Sequence, residues 1–402
     1  MPGLEAEFTP EQIDRSRARK RETVPLRYAS ASLGLVVPAV LGFTPLGAAL
    51  VRAAGRIAGG GWIATAVLGA IALLLVMYLL ALPVSARMEV VNRRWGLSMR
   101  SWRLFAADAA KGFAIGAVLF AGAAVGLYGL MRALPGSWWT YAAAGAAGLV
   151  FLLSFLLPVV VEPLFNRFTP LPDGPLRRQL MSLVDASGVR VRDILLTDAS
   201  RRTTATNAYV SGIGRTRRVV VWDTTVERAA PEEVAAVAAH ELGHAARRDV
   251  LIGTLVGSLG TAATVCLIAA ALRWGPLLHA AGVSRPADPR SLGLVLALAT
   301  AIGAAGGPVR LAFSRRVEAR ADTYALGLTR APETVVAMQR RLAVLNLADL
   351  EPHPLAVLLF GSHPPTLARI AQARAWAATH GLPDPPRLPW TEHPSGPTVE
   401  AP

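Results

Sequence analysis

The stretch "AVAAHELGHAARRD", residues 236 to 249, sets His240 and His244 four residues apart with Glu241 between them. With seven His and fifteen Glu in 402 residues, shuffling would produce His-Glu-x-x-His in about one case in 200. From Pro231 onward the pattern predicts a helix. Pro occupies a favoured first-turn position, Glu232 and Glu233 suit the positive end of the dipole, and Ala and Val fill the interior. Residues four apart share a helical face, so both imidazoles can reach one tetrahedral Zn²⁺, one ion per chain. Glu241 sits about 100° round the helix, where it can work on a water without binding the metal. Gly243 costs about 1 kcal/mol of helix propensity, which two solvated histidines on a surface helix would not explain.

Outward from this motif the chain is apolar: 53% hydrophobic, 17% charged, mean hydropathy +0.41. That composition reads as a polytopic membrane protein. Six stretches are long enough to cross a hydrocarbon core of about 30 Å: 29–51, 62–85, 112–131, 138–161, 250–272 and 291–313, the last broken by "GAAGGPVR". The net charge of +14 sorts by loop. Arg15, Arg17, Arg19, Lys20, Arg21 and Arg27 precede the first stretch, and the 86–111 loop holds six more Lys/Arg. The 52–61 loop has only Arg52 and Arg56, and the 132–137 loop only Arg132. The positive-inside rule then places the N-terminus, 86–111, 162–249 and the C-terminal part in the cytoplasm. Topology and anionic headgroups account for the charge, so nucleic acid is not an expected partner. No cleavable signal peptide is expected. A single cysteine, Cys266, excludes an intrachain disulfide and a Cys-based zinc site.

The expected organisation is a cytoplasmic tail (1–28), a four-span region (29–161), a small domain with the His-Glu-x-x-His zinc helix (162–249), a transmembrane hairpin (250–313), the second half of that domain (314–375) and a disordered Pro-rich tail (376–402). "VRDILLTDAS", "TTATNAYVSGI" and "RRVVVWDTTV" read as short strands. The fold class is thus mainly α: a polytopic helical bundle of six to seven spans with a small α+β domain.

A catalytic zinc needs three protein ligands and an open position. His279 lies between spans on the far side, and His380 and His393 lie in or beside the tail. "SRRVEARADTYALGL" (314–328) offers Glu318 and Asp322 on one helical face directly after the last span. Glu318 would complete a His2Glu set, and Asp322 could accept the second N–H of a ligand histidine. The alternative is an exposed acidic pair balanced by Arg315, Arg316 and Arg320. Placement on the membrane face of the His-Glu-x-x-His helix favours the ligand reading. In such a site zinc acidifies a water and polarises the scissile carbonyl, and Glu241 moves the water's proton to the leaving amine. "TNAYVSG" (206–212) reads as an edge strand for an extended peptide, with Asn207 and Ala208 nearest the metal and Tyr209 a further contact.

The motifs "EPLFNRFTPLPDGPLR" (162–177), "TNAYVSG", "AAHELGH" (238–244), "SRRVEARAD" (314–322) and "SHPPTLARI" (362–370) together resemble the Ste24 family, the type I CAAX prenyl endopeptidases of peptidase clan M48. The resemblance implies membrane helices, usually seven, that enclose a chamber closed by the zinc domain. It implies peptide or protein substrates, membrane-associated ones included. It also nominates His363 as an oxyanion donor and Arg369 as a substrate contact. The Ala, Gly and Arg bias and the lack of an ER-retrieval signal point to a bacterial inner-membrane homologue. The rival readings are an HtpX-type quality-control protease and, from another class, a transporter. A transporter would be expected to carry ionisable residues within its spans, which hold almost none.

Overall fold

The computed structural model of the chain describes residues 3–212 and 217–387. The helices α1 (Pro10–Phe43), α2 (Pro45–Arg56), α3 (Trp62–Arg94), α4 (Trp102–Ala133) and α5 (Trp138–Val160) come first. A mixed segment follows: α6 (Glu162–Phe165), β1 (Phe168–Pro170), α7 (Pro175–Ser187), β2 (Asp193–Thr197), β3 (Ala208–Ser211), β4 (Arg218–Trp222) and α8 (Asp223–Arg228). Next are α9 (Pro231–Ala246), α10 (Asp249–Ala271), α11 (Gly275–Ala280) and α12 (Leu292–Thr329). The chain closes with α13 (Pro332–Leu345), α14 (Pro354–Phe360) and α15 (Thr366–Thr379).

Among the described residues six helices are long and apolar enough to cross a bilayer: α1, α3, α4, α5, α10 and α12. The first apolar run is not the single span 29–51. Thr44 is extended (φ −128°, ψ 165°) and Pro45 opens a new helix, because Pro lacks the N–H that would continue α1 and forces its predecessor out of the helical region. α2, with 12 residues, is about 18 Å long. That is too short to span, so it is a seventh, partial helix beside six long ones. It packs tightly: a Cβ on Gly42, just before the break, would sit 2.3 Å from the Ala297 Cβ of α12.

Residues 10–28 are not a polar tail but the first half of α1. Thr9 and Gln12 form a reciprocal capping box at its start. The charges hide a stripe, since Ile13, Ser16 and Thr23 are buried on one face. Phe8 and Ile13 join a core built also from α7, α9, α13 and α15, while a second core lies among the membrane helices. The protease domain is therefore assembled from three separated pieces of chain. Glu7, fully buried, ties the first of these pieces to the last: it accepts from Arg340 Nε at 2.9 Å and from Arg374 Nε at 3.0 Å. Arg374 also donates to Asp384 at 2.7 Å and Arg340 to the Pro386 carbonyl at 2.9 Å. The helix α15 thus runs into the stretch expected to be a tail from 376. Most of that expected tail, His393 included, lies outside the described residues.

The four-stranded sheet has the order β1-β2-β4-β3. β2 and β4 pair in parallel, from Asp193↔Arg218 to Thr197↔Trp222. β3 is antiparallel to β4, with Ala208 opposite Val221, and forms one edge, as its sequence suggests. β1, three residues long, forms the other edge against β2 and is too short to show an alternating pattern.

Candidate active site

Helix α9 begins with Pro231, and Glu233 accepts from the Ala230 amide at 3.1 Å. Its inner face packs against α12. Gly243 permits this approach, since a Cβ there would meet the Tyr324 Cβ at 3.1 Å and the Ala321 Cα at 3.3 Å. The propensity lost at Gly243 thus brings α12 close enough to deliver its acidic pair.

His240 Nε2 and His244 Nε2 lie 3.3 Å apart. Glu318 reaches the first through Oε2 at 3.2 Å and the second through Oε1 at 3.7 Å. Behind the imidazoles stand two more carboxylates. Asp322 Oδ1 is 2.9 Å from His240 Nδ1, and Asp249 Oδ2 is 3.0 Å from His244 Nδ1. Carboxylates at both Nδ1 atoms draw the ring protons there, leaving two Nε2 lone pairs facing each other and a carboxylate. Such an arrangement is repulsive unless a cation lies between them. Ligand atoms around a tetrahedral ion with bonds near 2.05 Å stand about 3.3 Å apart, close to the spacing seen, and His240, His244 and Glu318 form a group that could hold a metal. The donor set therefore fits a tetrahedral divalent cation.

Asp249 is absent from the sequence-based site. It ends the opening stretch, five residues after His244, but α9 stops at Ala246 and Arg248 adopts a left-handed φ of 57°. That reversal turns Asp249 back toward His244. An arginine gives no hint of a left-handed turn, so the one signal is a carboxylate at the head of an apolar helix.

Glu241 is outside the ligand group and opens on a cleft of about 650 Å³ lined also by His244, Val210, Gly212, Arg217 and Arg248. Burial raises its carboxyl above the usual range, opposed by the neighbouring histidines and by a hydrogen bond from the Val210 backbone. Without a cation, Asp322 and Glu318 outweigh the burial that would lower His240 and raise its pKa to about 9, so a proton on Nε2 takes the place a metal would hold. Within "TNAYVSG", Val210 hydrogen-bonds Glu241 of α9 through its backbone. Asn207 is exposed at the start of β3, where its Oδ1 accepts from the Ala208 amide at 2.9 Å, and Ala208 is buried. Tyr209 donates to Glu162 Oε2 at 3.3 Å, linking β3 to the end of the α5 span.

His363 is 56% exposed, with Nε2 3.2 Å from Glu318 Oε2. Its loop is fixed by Arg315, which donates to the carbonyls of Val357 and Gly361 at 3.0 and 2.8 Å. Arg369 grips both oxygens of Asp322, at 2.7 and 2.5 Å. The structure thus places Arg369 behind His240, engaged with Asp322.

Residues 170–377 match the profile of peptidase family M48, and residues 2–167 match that of the CAAX prenyl protease N-terminal region with its five membrane helices. This second stretch holds α1 to α5. The chain is 30% identical over 304 residues to YhfN, an uncharacterized metalloprotease of Bacillus subtilis, covering 74% of this chain and 71% of that one. It is 30% identical over 236 residues to a CAAX prenyl protease 1 homolog of Oryza sativa, covering 56% and 54%. The crystal structure of Ste24p from S. mikatae shares the fold, with a TM-score of 0.80 at 24% identity over 93% of this chain and 91% of that one. With both profiles matched in order along one chain, this protein belongs to peptidase family M48, as an integral-membrane metalloprotease of the Ste24 type.

Proposed function

We propose that the chain is a zinc endopeptidase of the HExxH...E type that cleaves extended peptides at the cytoplasmic face of a bacterial inner membrane. The observation that carries this reading is the convergence of His240, His244 and Glu318 beside a cleft that Glu241 opens on. A zinc ion held by those three residues would supply Lewis acidity to a water and to the scissile carbonyl. Glu241 receives the proton of the attacking water and passes it to the leaving amine nitrogen. β3 pairs with β4 along one edge, and its other edge offers main-chain groups to an extended substrate. Asp249, and Asp322 with Arg369 behind it, hold the imidazoles in orientation. His363 donates its N–H to the developing oxyanion of the substrate.

The substrate class is peptide or protein, membrane-associated chains included; the prenylated C-termini named for the relatives are one candidate. The match to the prenyl protease N-terminal profile favours the Ste24 reading over an HtpX-like one.

Purified full-length protein in nanodiscs should hydrolyse a quenched-fluorescence peptide, lose that activity on chelation and regain it with one equivalent of zinc. Activity that persists after verified metal removal would overturn the reading. His363→Ala should lower kcat by about 10² to 10³ with KM and zinc content little changed. Loss of zinc, or a rise in KM alone, would assign His363 to the metal or to the peptide. For topology, cysteines placed near Arg94 and Arg178 in a Cys266→Ser background should react only from the cytoplasm, and one near His279 only from outside. The reverse pattern would put proteolysis on the other face.

A further inference from the structure

A second cavity, of about 610 Å³, lies among the protease-domain ends of the membrane helices, apart from the cleft. One wall is apolar, made by Leu26 of α1, Met88 of α3, Phe105 of α4 and Phe360 of α14. The rim is cationic. Buried Glu89 takes Arg93 at 3.0 Å and also contacts Arg100, so one carboxylate faces two guanidiniums. Arg27 pairs with no carboxylate among the described residues and sits 5.9 Å from the centre of the Phe360 ring. The cavity therefore carries a surplus of positive charge.

Its level is that of lipid headgroups. The apolar run of α1 begins just after Tyr28, and that of α3 ends near Ser85. Trp102, half-exposed, stacks under Arg93 at 4.0 Å in the manner of an interfacial aromatic. The seven-residue α14, "PLAVLLF", continues this layer, with Leu355, Leu358 and Leu359 exposed. α14 also leads to the active site. Phe360 packs edge-on against Tyr28 at 5.3 Å, Arg315 pins the next residue, Gly361, and His363 follows two residues later.

We propose that this cavity binds one anionic phospholipid, its phosphate between Arg27 and Arg100 and an acyl chain along Leu26, Met88 and Phe105. By fixing Phe360 and α14, the lipid holds the loop that presents His363. A phosphate bearing no cation of its own matches the rim. A zwitterionic headgroup brings an ammonium into the same cationic space and loses that match. The binding site stands on the cavity alone, whereas the link to His363 rests on the proposed proteolytic role.

The test equilibrates the full chain with vesicles of equal phosphatidylglycerol and phosphatidylcholine and reads retained lipid by native mass spectrometry. Wild type should keep one phosphatidylglycerol per chain, enriched about fivefold or more, the effect of one arginine near an anionic lipid. Arg27→Gln should lose the enrichment and Arg27→Lys restore it. Equal retention of both lipids by wild type, or an unchanged preference in Arg27→Gln, overturns the site. So does release of the lipid by a peptide with a free C-terminal carboxylate, which would make the cavity a substrate subsite. In nanodiscs, kcat should be about fivefold higher in phosphatidylglycerol than in phosphatidylcholine, with zinc content equal, and should become lipid-independent in Phe360→Ala. Selective lipid binding with equal kcat overturns the link to His363. Selective binding without hydrolysis in any lipid would instead sink the protease reading and leave the site intact.

Discussion

Glu241→Gln is expected to remain folded and loaded with zinc while peptide hydrolysis falls by about 10² to 10⁴. Glutamine keeps the size of the side chain and a carbonyl oxygen for the Val210 amide, which now hydrogen-bonds the carboxylate. It cannot take a proton from water at neutral pH. Glu241 is outside the group of possible ligands, so the metal should stay. Burial already disfavours its charge, so the neutral amide should not destabilise the helix. Glu241→Asp separates chemistry from position: it keeps the base but withdraws it by about 1.5 Å, one carbon–carbon bond, and should be slow yet faster than the glutamine variant. Because binding survives, Glu241→Gln should also retain uncleaved substrate, and peptides captured on it from native membranes would identify the substrate class. Near wild-type turnover in this variant would sink the mechanism. Zinc loss would instead make Glu241 a ligand.

The site was legible in the sequence where its geometry is local. His240 and His244 share a face because a helix repeats every 3.6 residues, and Glu318 could be named because its helix leaves the membrane on the same side. Asp322 followed from one further turn. Relations created by tertiary contact were not legible. Asp249 depends on a left-handed residue, Arg248, that nothing in its side chain announces. The contact of Arg369 with Asp322, 47 residues away in sequence, was not among the expected ones. Arg315 entered only the alternative reading, as a balancing charge, and its hold on the His363 loop was not foreseen. The fold shows the same division. Long apolar runs marked the spans and alternation marked three strands. The packed half of α1 was hidden because its buried stripe is sparse among six basic residues, and the break at Pro45 lay inside a run that hydropathy alone treats as continuous.

Replacing a metal ligand should have the largest effect of all: His240→Ala, His244→Ala and Glu318→Ala should each lose zinc and with it all hydrolysis, since two remaining ligands hold the ion poorly against water. The carboxylates behind the histidines should follow at a distance. Asp249→Asn keeps the size of the side chain but weakens the acceptor at His244 Nδ1, and Asp322→Asn does the same at His240. Each should weaken zinc affinity by about 10- to 100-fold without abolishing it. Metal content after dialysis against graded chelator would rank the five variants. An Asp249→Asn protein that binds zinc as tightly as wild type would remove Asp249 from the site. The sharpest case is Glu318, because His363 Nε2 lies only 3.2 Å from its Oε2 and could move into the gap. If Glu318→Ala keeps zinc but the double variant with His363→Ala loses it, the histidine can serve as a ligand. Its oxyanion role would then have to be tested at a site where Glu318 is intact. If Glu318→Ala alone empties the site, the third ligand is the glutamate, and His363 remains free to donate to the substrate.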